Sequence, residues 1–309
     1  MHIRIATRRS PLALWQAEFV SDELKKLQAN ISTELVKIIT KGDKILDVPL
    51  AKVGGKGLFT KEIDRALADG RADVAVHSMK DVPTKLPQGM SICAIPERED
   101  ARDMVATVGG IGLKNLPVGA KVGSSSLRRI CQLKRHYPHL ECVSIRGSVQ
   151  TRLDKLGQEV DAVILAAAGV KRLGLYERMD NPIDPEIMLP AVGQGTLAIQ
   201  TCDDATKINA LVSCLNHADT VIRSKAERAF LATLEGGCQV PIAGYATLDG
   251  DTLTVRGRVG DVEGKELLDQ SIVGPSHDAQ ALGVQLAEQL LDAGAREILQ
   301  EVYRNHTSS

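Results

Sequence analysis

Cys238 lies in the run Glu235-Gly236-Gly237-Cys238-Gln239-Val240-Pro241. Glycines before it and a proline after it predict an irregular, exposed loop between a helix and a strand. An exposed thiol in such a loop is a candidate nucleophile. No histidine stands beside it in sequence to act as a base, so a plain surface cysteine is the competing reading. Lys80-Asp81 comes after a short apolar run, Asp73 to Val76, that reads as a buried strand. A carboxylate at the mouth of such a strand can stabilise a developing cation or move protons. The alternative is a turn cap, since aspartate favours turns.

The arginines recur at corresponding places. Arg8 follows the first predicted strand, and Arg128 and Arg129 open a helix after Gly123-Ser124-Ser125-Ser126. Arg146 follows the next strand, Arg152 lies beyond it, and Arg172 follows the strand after that. Open α/β sheets bind ligands beyond the C-terminal ends of their strands. Helix N-termini there favour anions, and a guanidinium matches a carboxylate or phosphate as a two-pronged fork. Any one of these side chains reads equally well as a solvated surface arginine. Together they point to a ligand with several negative groups.

The elements that must carry these residues are set by the spacing of apolar positions. A strand over His2 to Ala6 leads to a helix with Ser10 as N-cap and Pro11 in its first turn; Leu12, Trp15, Phe19 and Leu24 are its expected apolar face. Further strands are predicted at Thr33 to Ile39 and Met90 to Ile95, with a helix bearing Leu58, Phe59, Ile63 and Leu67 and stopping at Gly70. Lys52, Gly54, Gly55 and Lys56 lack the spacing of a nucleotide-binding loop and read better as a loop that closes over a ligand. Past the charged run Pro96 to Asp100 the alternation restarts, with strands at Lys121 to Gly123, Leu140 to Ile145 and Ala162 to Ala168 and helices at Ser125 to Tyr137 and Val149 to Leu156. Leu189 to Gly195 reads as a second crossing that returns the chain to the first lobe, where Thr196 to Gln200 is a strand. Strands alternating with helices imply parallel α/β layers. After a long helix ending near Glu235, three strands (Ile242 to Leu248, Thr252 to Val259, Glu266 to Val273) and a helix from Asp278 to Leu291 suggest a small antiparallel α+β domain.

The expected architecture is therefore two α/β lobes like those of periplasmic binding proteins, joined by a double-strand hinge, plus a small C-terminal α+β domain. The boundaries are 1–97 with 196–215, then 101–190, then 218–309.

Composition narrows the class. Of 309 residues, 43% are hydrophobic and only 3% aromatic, so the core rests on aliphatic side chains. No apolar run of about 18 residues suggests a membrane span. The N-terminus lacks the apolar core of a signal peptide, which predicts a cytoplasmic protein. The six cysteines (Cys93, Cys131, Cys142, Cys202, Cys214 and Cys238) form no CxxC pair and have no zinc spacing, so no metal site is expected. The first five read as small core residues. Net charge is −1, but residues 121–178 carry eleven Lys/Arg against five Asp/Glu, and residues 249–301 carry four against eleven. The basic middle suits an anionic ligand. Nucleic acid is disfavoured, because the basic stretch lacks interleaved aromatics and the whole chain is not basic.

The stretches Ile5 to Ala13, Gly54 to Phe59, His77 to Pro83, Ser125 to Arg129, Arg146 to Val149 and Glu235 to Cys238 together resemble the porphobilinogen deaminase family, in the family's order and over nearly the whole chain. The resemblance implies a transferase of porphyrin and haem biosynthesis with hydroxymethylbilane synthase activity. It would join four porphobilinogen units with loss of ammonia, on a dipyrromethane held by a thioether to Cys238. It implies Asp81 as the catalytic carboxylate. Lys80, Ser126, Arg128, Arg129 and Arg146 would bind the cofactor, and Arg8, Ser10, Arg152 and Arg172 the substrate. It also implies a monomer with no nucleic-acid or membrane partner. Gln200 stands where the family usually has an acidic residue, and Ser124 where threonine is frequent. The competing function is a two-lobed binding module for a small polyanion, which would need neither an exposed Cys238 nor a third domain.

Overall fold

The computed structural model describes residues 1–44, 57–236 and 240–307. They form two compact units, one built from residues 1–44, 57–99 and 196–221 and the other from residues 100–195, 222–236 and 240–307. The chain thus leaves the first unit after Glu99 and re-enters it at Thr196.

The first unit holds a five-stranded sheet. Its strands are β1 (His2–Arg8), β2 (Ser32–Ile38), β3 (Val74–Ser78) and β4 (Met90–Ala94), joined by the returning strand Leu197–Cys202. The order is β2-β1-β3-returning strand-β4. β1 runs parallel to β2 and β3, whereas the returning strand is antiparallel to β3 and β4. The expected parallel pairing therefore holds for β1, β2 and β3, and the returning strand makes the sheet mixed. Helix Pro11–Leu27 is capped by Ser10, whose Oγ accepts from the amide of Ala13 at 3.3 Å. Its buried face is Ala13, Gln16, Ala17, Val20, Ser21 and Leu24, so of the expected stripe Leu24 is buried and Leu12, Trp15 and Phe19 lie one residue off it. Trp15 and Phe19 instead stack on each other at 5.5 Å and stay half-buried. Small residues bring this helix close to the sheet, and the bulky rings are left to cover its flank. Helix Lys61–Ala68 packs Ile63, Ala66 and Leu67 against Ala6, Ile38 and Ala75 on the other face.

The second unit contains β5 (Asp103–Thr107), β6 (Lys121–Gly123), β7 (Glu141–Val143), β8 (Ala162–Ala166) and β9 (Asn181–Pro182), in the order β7-β6-β8-β5-β9. The Leu197–Cys202 strand is β10 in chain order. β5 is fully buried and antiparallel to β8. No strand is predicted there from the sequence, because the charged run before it looks like the end of an element. The same unit carries the antiparallel sheet β11 (Ile242–Asp249), β12 (Thr252–Gly260) and β13 (Leu267–Pro275). Phe230, Leu253, Val255, Leu286 and Leu290 fill the core between this sheet and its helices. Gly257 is required there: a Cβ would stand 2.5 Å from the Phe230 ring. A last helix, Arg296–Thr307, lies beyond the expected elements.

Buried polar groups fasten the segment Leu189–Gly195 within this unit. Gln132 accepts from the amide of Leu189 at 2.8 Å and from Arg258 at 2.9 Å. Glu227, fully buried, accepts from the amides of Gly193 at 2.7 Å and Ala246 at 2.8 Å. Gln194 donates to the carbonyl of Ala101 at 2.7 Å and to Asp103 at 2.9 Å. Asp103 itself is met by Arg128 and by Arg129, each at 2.7 Å.

Removing one partner from a buried ion cluster leaves charge uncompensated, at a cost of about 3–5 kcal/mol. Asp103→Asn should lower the stability of the second unit by about that much in urea unfolding. Burial alone would raise the carboxyl, but the two guanidinium groups hold it far below the usual carboxylate range. The stability it contributes is present above the unfolded value near 3.9 and is lost progressively as the pH falls below it. The Asp103→Asn variant should lack that part of the acid dependence.

Candidate functional site

The C-terminal ends of β1 and β3 open into one cavity of the first unit. It is lined by Arg8, Ser10, Leu12, Ala13, Gln16, Phe59, Thr60, Val76, His77, Ser78 and Asp81. Three sequence-predicted residues, Arg8, Ser10 and Asp81, are therefore brought together here. β1 delivers Arg8 as its last residue, and Ser10 starts the next helix. β3 ends at Ser78, and the single turn Met79–Asp81 carries Lys80 and the half-buried Asp81. That turn is tied to the returning strand by the amide of Met79, which donates to the carbonyl of Thr196 at 2.9 Å. Gln16 donates to the Ser78 hydroxyl at 2.8 Å, which joins the helix to the end of β3.

Arg8 is not a loose surface cation. It forms an ion pair with Asp43, and its guanidinium carbon lies 4.2 Å from the centre of the Phe59 ring. Asp43 also accepts from the amide and hydroxyl of Thr40 at 3.0 and 2.8 Å. Burial pushes the Asp43 carboxyl up, but the bonds from Arg8 and Thr40 outweigh it and hold the group below its ordinary value. Charge pairing and the ring face together fix where the Arg8 fork points. Sequence patterning misses Asp43, which sits in a stretch without periodicity, and shows Phe59 only as a packing residue.

His77 lies beneath the same cavity and is buried. Burial pushes its ring down to about 4; the bond to Gln200 opposes this and the Arg8 charge adds to it. At neutral pH the ring is uncharged.

In the second unit Ser126, Arg128, Arg129 and Arg146 fall at strand ends and helix starts, whereas Arg152 lies inside helix Val149–Asp154 and Arg172 ends helix Ala167–Arg172. Ser126 is the N-cap residue of helix Leu127–His136, though its side chain makes no capping bond. Arg128 and Arg129, the second and third residues of that helix, are buried. Arg128 reaches Asp103 and the Leu189 carbonyl, and Arg129 reaches Asp103 and the Ile164 carbonyl at 2.9 Å. Burial draws Arg128 below its ordinary value, partly countered by Asp103. Arg146 follows β7 and is half-buried. Arg152 donates to the Gly147 carbonyl at 2.9 Å, and Arg172 to the Gly195 carbonyl at 2.8 Å. Gly147 has φ +119, which permits this turn ahead of helix Val149–Asp154. Asp103 is the residue sequence reasoning misses here; an aspartate heading the apolar run Met104-Val105-Ala106 was the available signal.

Cys238, Lys52, Gly54, Gly55 and Lys56 lie outside the described residues. Of the other cysteines, Cys131 is buried, and Cys93, Cys142 and Cys202 are half-buried. Cys214 is exposed, which corrects its reading as a core residue: in the single turn Ser213–Leu215 it is Leu215 that packs against the core. Burial raises the Cys131 thiol to about 12, so it is inert as a nucleophile at neutral pH. Among the described residues no three His, Cys, Asp or Glu side chains are grouped to hold a metal, and no helix is long and apolar enough to cross a membrane.

The donor set suits a ligand that carries both carboxylates and N–H groups. A guanidinium and a serine hydroxyl serve the former, and the Asp81 carboxylate serves the latter.

Two family models match the chain. The family model "Porphobilinogen deaminase, dipyromethane cofactor binding domain" matches residues 3–210, and "Porphobilinogen deaminase, C-terminal domain" matches residues 221–292. Among solved structures, the periplasmic VFT2 domain of BvgS from Bordetella pertussis is 16% identical with a TM-score of 0.40, covering 69% of this chain and 85% of that one. The methionine-binding protein MetQ is 13% identical with a TM-score of 0.44, covering 69% and 89%. A substrate-binding protein of an amino-acid ABC transporter is 14% identical with a TM-score of 0.40, covering 70% and 91%.

The buried His77 carries a testable cost. An unfolded histidine titrates near 6.5, and the folded ring near 4. Below pH 6.5 the unfolded chain takes up a proton that the folded chain refuses, so stability falls with pH through this window and is unaffected above it. Between pH 7 and pH 5 the protein should lose about 2 kcal/mol more than a His77→Gln variant in paired urea titrations. Equal losses would show that His77 titrates normally.

Proposed function

The chain belongs to the porphobilinogen deaminase family, and from this we propose that it joins four porphobilinogen units into hydroxymethylbilane with release of ammonia at each step. Membership makes it a transferase of porphyrin biosynthesis with hydroxymethylbilane synthase activity and a dipyrromethane cofactor. The finer reading concerns which residues do the work.

Cys238 is the proposed attachment point of the cofactor, through a thioether. Dipyrromethane supplies the pyrrole terminus from which the chain is extended. Asp81 is the catalytic carboxylate. Loss of ammonia from an aminomethylpyrrole leaves a cation on the substrate, and a carboxylate fixed beside the pyrrole nitrogens stabilises that cation as it forms. Such a role requires a negative charge in place and no strong nucleophile. Arg8 and Ser10 in the same cavity, with Arg152 and Arg172, bind the substrate's carboxylates. Lys80, Ser126, Arg128, Arg129 and Arg146 bind those of the cofactor. Arg128 and Arg129 share one carboxylate, so their cluster keeps one positive charge that favours an anion nearby. The division into three domains, 1–97 with 196–215, 101–190 and 218–309, is part of this reading, as are a monomeric state and a cytoplasmic location.

The observation that carries the proposal is the placement of Asp81 in one cavity with Arg8 and Ser10, inside a family match that covers most of the chain. Asp81→Asn should keep the fold and lower kcat by about 10²–10³, the cost of removing one group that stabilises transition-state charge. Normal turnover would remove Asp81 from the mechanism. The intact mass of the purified protein tests the anchor: an excess equal to dipyrromethane should map to the peptide containing Cys238 and vanish in Cys238→Ala. An unmodified mass from cells able to make the cofactor would instead favour a two-lobed polyanion-binding module.

A further inference from the structure

One polar chain in the first unit has no part in that reaction scheme. His77 shares a face of β3 with Ala75, which packs toward helix Lys61–Ala68. Gln200 on the returning strand is fully buried and lies between His77 and Asp64 of that helix. Its amide has one workable orientation. Burial raises the Asp64 carboxyl, but in its ionised form it can only accept, so Gln200 Nε2 donates to Asp64 Oδ1, at 2.9 Å. Gln200 Oε1 therefore meets His77 Nε2, also at 2.9 Å, and that nitrogen must carry the proton. A neutral ring protonated on Nε2 keeps its lone pair on Nδ1. Among the described residues no group bonds to Nδ1, although the side chain is only 6% exposed and lines the cavity that holds Arg8 and Asp81.

We propose that Gln200 is a positioning residue that fixes His77 with Nδ1 as a second acceptor beside Asp81, ready to receive an N–H of the aminomethylpyrrole substrate. The proposal rests on the family reading for the identity of that ligand. Nδ1 is not one of the described side-chain atoms that are buried without a partner, so its lone pair is open to the cavity, where a ligand that brings an N–H can take it. The charged groups around the ring are Arg8 from the end of β1 with its partner Asp43, Asp81 from the turn after β3, and Asp64 through Gln200. Arg8 disfavours a second proton on the ring. The acceptor is thus uncharged: it orients an N–H without competing with Asp81 for the cation.

Long-range ¹H–¹⁵N correlation spectra of the histidine-labelled holoenzyme give the tautomer directly. His77 should be protonated on Nε2 alone. Its Nδ1 resonance should move when porphobilinogen is added to the Asp81→Asn holoenzyme, which turns over too slowly to consume it. Gln200→Leu removes the acceptor; it should lose the single tautomer and about tenfold in kcat, with cofactor loading by intact mass unchanged. A proton on Nδ1, an Nδ1 resonance indifferent to porphobilinogen, or full kcat in a loaded Gln200→Leu variant overturns the proposal. If Gln200→Leu does not fold, the spectra of the first two proteins still decide it. Failure of the family reading shows differently, as no pyrrole mass and no turnover of porphobilinogen in the unsubstituted protein, and it overturns the ligand assignment even where the tautomer is as expected.

Discussion

The Asp103 carboxylate has no access to solvent, and two guanidinium groups close on it at 2.7 Å. Taking such ions out of water costs several kcal/mol each, and attraction repays it only where every remaining donor finds an acceptor. The second unit meets that demand with backbone. The carbonyls of Leu189 and Ile164 take further guanidinium protons, and Gln194 adds a neutral donor to the carboxylate. Since Leu189 and Gln194 belong to the segment that leads the chain back to the first unit, the ion cluster also fixes the course of that segment. The cluster cannot be loosened without disturbing β5, β8 and helix Leu127–His136 together.

The two units solve the charge problem with different results. In the second, two cations share one anion and a positive charge is left over, in a segment already rich in lysine and arginine. In the first, Arg8 is balanced by Asp43, His77 is uncharged, and Asp81 is added to the same cavity. With Lys80 on the same turn as Asp81, the charges there balance. A surplus of positive charge suits an anionic ligand, and a balanced site suits one that carries both carboxylates and N–H groups. The bland reading of each arginine as a solvated surface group fails for Arg8, Arg128 and Arg129, because each is committed to a carboxylate of its own unit.

Much of this was legible in the sequence because strand ends announce themselves. Arg8, Lys80-Asp81, Arg128, Arg129 and Arg146 all come after short apolar runs, and a parallel α/β sheet gathers the residues beyond its strand ends at one edge. The partners that escaped lie far away along the chain. Asp43 stands 35 residues from Arg8, and Asp103 stands 25 residues from Arg128. Periodicity reports which face of an element is apolar and says nothing of which distant carboxylate meets which arginine. The helix Pro11–Leu27 shows a second limit. Leu24 lies on the inner face as its pattern suggests, but Ala13, Ala17 and Val20 take the places expected of Leu12, Trp15 and Phe19.

Two antiparallel strands carry the residues on which the polar arrangement turns, and apolar patterning shows only one of them, without its direction. β5 begins a few residues after the chain enters the second unit and delivers Asp103. β10, expected as a strand but not as an antiparallel one, begins directly after the return and delivers Gln200. Each lies inside its sheet, β5 beside β8 and β10 beside β3, whose end bears Lys80 and Asp81. A strand that enters a sheet from another unit is central and antiparallel at once, so its side chains point into layers built by local βα units. The crossings therefore do more than join two units. They place one buried carboxylate and one buried amide where the arginines of one unit and the histidine of the other need a fixed partner, and a chain with the same units joined end to end would lack both.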